Sequence, residues 1–268
     1  MSNAGAAEQA IKEGDAQRAL KLLTEQVRAR PQDAKLRIFL FQLLCVLGQW
    51  ERALNQLDVA QELDAETLPM VRTYREAIQC ERLRDEVFRG KKVPLLFGEP
   101  EAWVALLIEA LLREGQGSNA DARKLREQAF EQAPSSSGMI DGKSFAWMAD
   151  ADMRLGPVLE AVINGKYYWV PLARLAKIEI DAPADLRDCA WTAAQFEFTN
   201  GGASVALIPT RYAGTDLTQS SLALARKTEW NEPQPGFYTG AGQRLFTTDI
   251  GDYGLMDIRS VTFADADA

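Results

Sequence analysis

The sequence predicts an α+β protein. A tetratricopeptide-like helical repeat array spans residues 1–134, and a mainly antiparallel, barrel-like β domain spans residues 139–268. Three observations predict this division. A glycine-led segment recurs at one fixed offset in the first half. Ser135-Ser136-Ser137-Gly138 then interrupts the helical periodicity. Short alternating and β-branched runs, two of them joined across Asn-Gly turns, fill the remainder.

The recurrence is the strongest of the three. Gly14-Asp15-Ala16-Gln17-Arg18-Ala19-Leu20 is followed by Leu23 and then Pro31. Thirty-four residues later comes Gly48-Gln49-Trp50-Glu51-Arg52-Ala53-Leu54, followed by Leu57 and Ala60. That offset is the tetratricopeptide period. Gly14 and Gly48 fall where a first helix ends and the chain must turn. Ala19 and Ala53 are small enough to let paired helices approach, and the leucines three apart form one apolar stripe. Pro31 ends the second helix, because proline cannot continue the hydrogen-bond ladder.

A third copy follows in Gly117, Ala122, Ala129 and Pro134, preceded by an amphipathic helix over Trp103 to Arg113. Between the copies, Leu68 to Arg89 reads as one long helix and Gly90 to Pro100 as a loop: a degenerate repeat or a linking helix. Residues 6 to 134 therefore predict six or seven helices stacked as antiparallel pairs, against the plainer alternative of a generic bundle. The first helix of each pair lines the concave side. The predicted partner-binding residues are Glu8, Ile11, Lys12, Lys35, Ile38, Gln42 and Cys45. A groove of this mixed polarity suits a peptide or helix better than a metabolite.

In the second half, Val158 to Ile163, Asn164-Gly165 and Tyr167 to Val170 predict a hairpin with a type I′ turn. Ala194 to Thr199 and Ser204 to Ile208, across Asn200-Gly201-Gly202, predict another. Leu222 to Trp230, Arg244 to Thr248 and Leu255 to Phe263 read as strands, and Leu172 to Ala176 as a helical turn. Asp150 and Asp152 have the spacing of a carboxylate base or metal-ligand pair, with Arg154 or Arg211 as an anion clamp. Strand-end acids paired with those arginines are the blander account. Tyr167-Tyr168-Trp169 offers a recognition surface, although alternate rings in a strand face opposite sides. With Trp169, Arg211, Tyr212 and Trp230, these residues form a second candidate surface. Gly240-Ala241-Gly242 lacks the final glycine and the strand-to-helix context of a dinucleotide loop. Asp249, Asp252 and Asp257 lack the alternate spacing of a calcium loop and read as an acidic turn.

Composition narrows the chemistry. The 268 residues contain no histidine, which removes the commonest general base and the commonest transition-metal ligand. Ser-His-Asp and Cys-His catalysis are excluded, and neither a metal nor a cofactor is expected. A net charge of −8 disfavours nucleic acid. The basic stretch Arg82 to Lys92 is interleaved with acids and reads as a solvated helix face. Cys45, Cys80 and Cys189 are too far apart for a disulfide framework, which fits a reducing compartment. No apolar run is long enough for a membrane span, and Met1 to Ala10 is not a secretory signal, so a cytoplasmic location is expected.

Five segments of the second half carry a resemblance to a known family. They are Trp147-Met148-Ala149-Asp150-Ala151-Asp152-Met153-Arg154-Leu155-Gly156-Pro157-Val158-Leu159-Glu160, Asn164-Gly165-Lys166-Tyr167-Tyr168-Trp169-Val170-Pro171, Leu207-Ile208-Pro209-Thr210-Arg211-Tyr212, Leu224-Ala225-Arg226-Lys227-Thr228-Glu229-Trp230 and Gly242-Gln243-Arg244. In this order they resemble the signature of the ImpE/TagJ family. The resemblance implies a cytoplasmic accessory component of bacterial type VI secretion. Its implied partners are the smaller sheath subunit TssB and the sheath-disassembling ATPase ClpV. It implies an adaptor with no catalytic residues. Two other readings compete with it, a carboxylate or metal enzyme in the β-rich half and a repeat scaffold unrelated to secretion. A further variant puts the contact surface in the β-rich half and leaves the repeats to oligomerisation.

Overall fold

The computed structural model describes residues 3–264. The first half forms α1 (Asn3–Lys12), α2 (Ala16–Ala29), α3 (Ala34–Val46), α4 (Trp50–Leu63), α5 (Leu68–Phe88), α6 (Ala102–Gly115) and α7 (Asn119–Gln132). The repeat is visible in how the helices stop. Gly14, Gly48 and Gly117 all lie at positive φ, at 84°, 64° and 80°. At the first stop Gly14 N donates to Ile11 O at 2.9 Å and Asp15 N to Ala10 O at 2.8 Å. At the second, Gly48 N donates to Cys45 O at 3.1 Å and Gln49 N to Leu44 O at 2.8 Å. These paired bonds satisfy the last carbonyls of a helix and require the left-handed residue that glycine supplies. Ala19, Ala53, Leu23 and Leu57 are fully buried, as close helix packing demands.

The stretch between the copies is a single 21-residue helix, α5, followed by an irregular loop carrying β1 (Leu95–Leu96). No second helix of a repeat follows it. Its partner is the sheet of the second half: β1 adds in parallel to β6, pairing Leu95 with Tyr168 and Leu96 with Trp169.

The second half contains β2 (Gly138–Ile140), β3 (Lys143–Phe145), β4 (Met148–Asp150), β5 (Val158–Ile163), β6 (Lys166–Pro171), β7 (Leu175–Ile180), β8 (Trp191–Phe198) and β9 (Ala203–Pro209). A short turn α8 (Ser220–Ala223) precedes β10 (Thr228–Gln234), β11 (Phe237–Gly242), β12 (Leu245–Thr248), β13 (Gly251–Gly254) and β14 (Ser260–Phe263). Nine strands form one sheet in the order β1-β6-β5-β9-β8-β7-β14-β2-β3, with β10-β11 and β13-β12-β4 as smaller sheets. The large sheet ends on β1 and β3 and does not close on itself, so the barrel expectation gives way to an open sheet.

Both predicted hairpins form. Asn164 at φ 49° and Gly165 at φ 72° make the turn between β5 and β6, the two positive values that a type I′ turn requires. Leu222 to Trp230 is corrected: α8 and a bend occupy its first half, and the strand begins at Thr228. Leu255 to Phe263 is a strand only from Ser260. Leu172 to Arg174 is a single 3-10 turn, as the local sequence suggests.

All six residues of β5 are buried, because the two faces of the sheet pack against different things. Leu159, Ala161 and Ile163 join Phe196, Ile208 and Val261 on one side. Val158 and Val162 join Trp169, Trp191 and Leu207 on the other, in the same core as Leu44, Ile78, Val87 and Leu107 of the helices. The change from helix to strand falls between Gln132 and Gly138, yet the two halves share this core.

Candidate functional site

At the centre of the shared core lies a charge lattice. Glu160, on the helix-facing side of β5, is completely buried. Arg84 of α5 reaches it with Nε to Oε1 at 2.6 Å and Nη2 to Oε2 at 3.1 Å. Arg244 pairs with the same carboxylate and, through its other terminal nitrogen, with Asp150. Tyr167 donates its hydroxyl to Glu160 Oε1 at 2.5 Å, and Trp169 Nε1 donates to that hydroxyl at 2.9 Å. The 7-residue separation of Glu160 and Tyr167 across the hairpin turn places both on one face. Burial alone would raise the Glu160 carboxyl, but Arg84 and Arg244 outweigh it and hold it at about 2. Burial pushes Asp150 up to about 7 against the pull of Arg244.

Asp150 and Asp152 are both paired inside the protein. Asp150 Oδ1 accepts from Asp152 N at 2.9 Å while Arg244 takes Oδ2. Asp152 accepts from Arg154 Nε at 2.9 Å and Nη2 at 2.5 Å, and from Gly240 N at 2.9 Å. Asp150 also borders an apolar hollow of about 350 Å³ formed by Phe130, Trp147, Met148, Met153 and Pro157. Its carboxylate is already committed to Arg244 and Asp152. Among the described residues, no group of three His, Cys, Asp or Glu side chains could hold a metal ion.

The remaining second-surface residues are placed as follows. Arg154 lies over the Phe88 ring at 4.8 Å and is half-buried. Trp169 and Tyr212 are buried, so neither is a recognition surface; Tyr167 shares the fate of Trp169, while Tyr168 faces Phe97 on the opposite side. Arg211 is buried against the end of α3, donating to Ala223 O at 2.7 Å and Cys45 O at 3.3 Å. Trp230 stays 42% exposed, resting on the Tyr212 ring. Gly240 lies in β11 beneath that ring, where an added Cβ would sit 2.2 Å from a ring carbon, so its role is close packing.

On the repeat side, Glu8, Lys12 and Lys35 are exposed, and Ile11, Ile38 and Gln42 are half-buried. Cys45 is corrected: it is wholly buried, because the end of α3 is roofed by Arg211 and the Leu186–Cys189 turn of the second half. Arg84, within the stretch read as a solvated helix face, is likewise buried because Glu160 claims it.

Sequence reasoning missed a wide cleft. It has a volume of about 650 Å³ and opens between α5 and the Arg211–Leu217 segment. Trp50 and Leu217 form its apolar rim, and Arg82, Asp85 and Arg89 line its wall. No periodicity signals it, because its walls lie more than a hundred residues apart.

A tetratricopeptide-type array welded to an open sheet by a buried arginine–carboxylate lattice defines the class, a repeat scaffold carrying a specialised second half. Residues 10–78 match the tetratricopeptide repeat family, and residues 142–262 match the family described as ImpE protein. Over 263 residues the chain is 50% identical to the type VI secretion system accessory component TagJ of Pseudomonas aeruginosa, covering 98% of this chain and 92% of that protein. The crystal structure of protein VPA1032 from Vibrio parahaemolyticus superposes with a TM-score of 0.89 at 26% identity, over 97% of both chains. The chain belongs to the ImpE/TagJ family.

Proposed function

We propose that the chain is a non-catalytic adaptor of type VI secretion that binds the smaller, TssB-like sheath subunit and links it to a ClpV-type ATPase. Family membership supports the coarse role, an accessory component of that system. The observation that carries the docking mode is the open part of the repeat face. Glu8, Lys12 and Lys35 are exposed on α1 and α3, and Ile11, Ile38 and Gln42 of the same helices are half-buried. An amphipathic helix presents this chemistry in mirror image, with apolar anchors at i, i+3, i+4 and i+7 and charges at their edges. The sealed state of Asp150 and Asp152 favours the adaptor over the carboxylate enzyme.

Titration of purified sheath subunit into the full chain tests the reading. Binding is expected, weakened at least tenfold by Glu8→Lys combined with Lys35→Glu, and abolished when Ile38→Asp is added. Undiminished affinity in the triple variant would remove the groove, and absence of binding to the unaltered chain would remove the sheath partner. Retention of the ATPase on a column carrying the complex, against the chain alone, checks the link.

A further inference from the structure

We propose that the cleft between α5 and the Arg211–Leu217 segment is a second binding site. It takes a carboxylate-bearing segment of another polypeptide, with Arg211 as the anion anchor. The charge inventory of the walls carries the argument. Each acid there already holds a cation: Glu81 pairs with Arg84 at 3.3 Å, Asp85 with Arg89 at 2.9 Å and Glu86 with Lys91 at 3.8 Å. Arg211 lines the same cleft and, among the described residues, has no carboxylate within ion-pair distance.

Arg211 is only 6% exposed, so its charge is largely removed from water. Its terminal nitrogens donate to the carbonyls of Val46, Ala223 and Cys45. Its Nε makes no hydrogen bond within the protein, and the residue lines the cleft. A desolvated guanidinium with a free N–H edge is best satisfied by a carboxylate, which adds a charge-assisted hydrogen bond. Burial weakens the hold of Arg211 on its proton, and the charge of Glu81 offsets only part of that effect.

The shape of the cleft selects a polypeptide as the source. Its wall runs along α5 from Glu81 to Arg89, about 12 Å at the helical rise. Trp50 and Leu217 line the cleft and can receive apolar side chains, and Arg82, which pairs with Glu51, stands exposed in its wall. This site is distinct from the α1 and α3 face and requires no assumption about the sheath subunit.

Fluorescence polarisation of labelled hexapeptide libraries, blocked at both ends, tests the proposal on the full chain. One library fixes Glu at the third position and the other fixes Gln. The Glu library is expected to bind at least tenfold more tightly. Leu217→Asp and Arg82→Glu, both at the cleft mouth, are each expected to weaken it at least fivefold with the circular dichroism unchanged. The Glu8→Lys, Lys35→Glu, Ile38→Asp variant should bind the library as the unaltered chain does. Equal affinity for the two libraries, no binding of either, or indifference to both cleft variants overturns the proposal. Displacement by millimolar glutarate as effective as by unlabelled Glu library would assign the cleft to a free small carboxylate and overturn the polypeptide source.

Discussion

At the scale of single residues, Glu160 shows how much one side chain carries. It lies wholly inside the protein with two arginines, a tyrosine hydroxyl and no water-facing edge. Removing its charge leaves Arg84 and Arg244 buried beside a neutral amide, and breaking such a pair costs about 3–5 kcal/mol. Glu160→Gln should lower the stability to urea by that amount near neutral pH. The folded carboxyl titrates at about 2 and the unperturbed one at 4.5. Its contribution is therefore fully present above pH 4.5 and is lost as pH falls toward 2, because the unfolded chain binds the proton first. The stability gap between the native chain and Glu160→Gln should narrow by about 3 kcal/mol over that window. A gap independent of pH would mean that the lattice does not depend on the charge of Glu160. Asp150 works in the opposite sense. Its folded value of about 7 lies above 3.8, so its contribution is present below pH 3.8 and declines as pH rises through 7.

At the scale of elements, α5 and the turn before α4 are where the halves meet. α5 supplies Arg84 to the lattice, Tyr74 to the Trp191 ring at 5.7 Å, and Glu81 to Trp191 Nε1 at 3.0 Å. Gly48 ends α3 at φ 64°, and a Cβ there would sit 2.6 Å from Leu217 Cδ1. Gly48→Ala should cost about 1–2 kcal/mol in left-handed backbone strain and contact with Leu217. Adding Leu217→Ala should recover the contact portion and leave the backbone portion, as a double-mutant cycle in urea would show. Full recovery would mean that the positive φ carries no penalty at this turn. The glycine was legible in the sequence, because helix stops leave a local signature. Leu217 was not, since its approach to Gly48 is a long-range contact.

At the scale of the whole molecule, one core serves both halves. Trp169, Trp191 and Val162 of the sheet pack in the same cluster as Leu44, Ile78 and Val87 of the helices. A chain cut at Ser136 should therefore yield two fragments that expose this surface. Neither 1–134 nor 137–268 is expected to unfold cooperatively alone, while mixing the two should restore one transition. Independent, cooperative melting of either fragment would show that the shared core is not needed for folding. The same packing takes the end of α3 out of the predicted partner-binding face. The second half roofs the end of α3, buries Cys45, and opens a different cleft along α5.

The sequence by itself determined the helical repeat, its stops at Gly14, Gly48 and Gly117, the tight turn at Asn164-Gly165, and the family. Each of these is written in local spacing or in contiguous motifs, and each follows from conformational limits acting within a few residues. The tertiary structure alone decided what the motif residues are for. Asp150, Asp152, Arg154 and Arg211 have the look of site chemistry in one dimension, whereas Glu160 and Arg244 carry no such signal. Folding turns most of them into a neutralised lattice, because a buried charge needs its partner nearby and those partners come from distant segments. Burial, the openness of the sheet and the position of the cleft depend on which surfaces meet. That is set by packing between elements far apart in the chain, which no local pattern records.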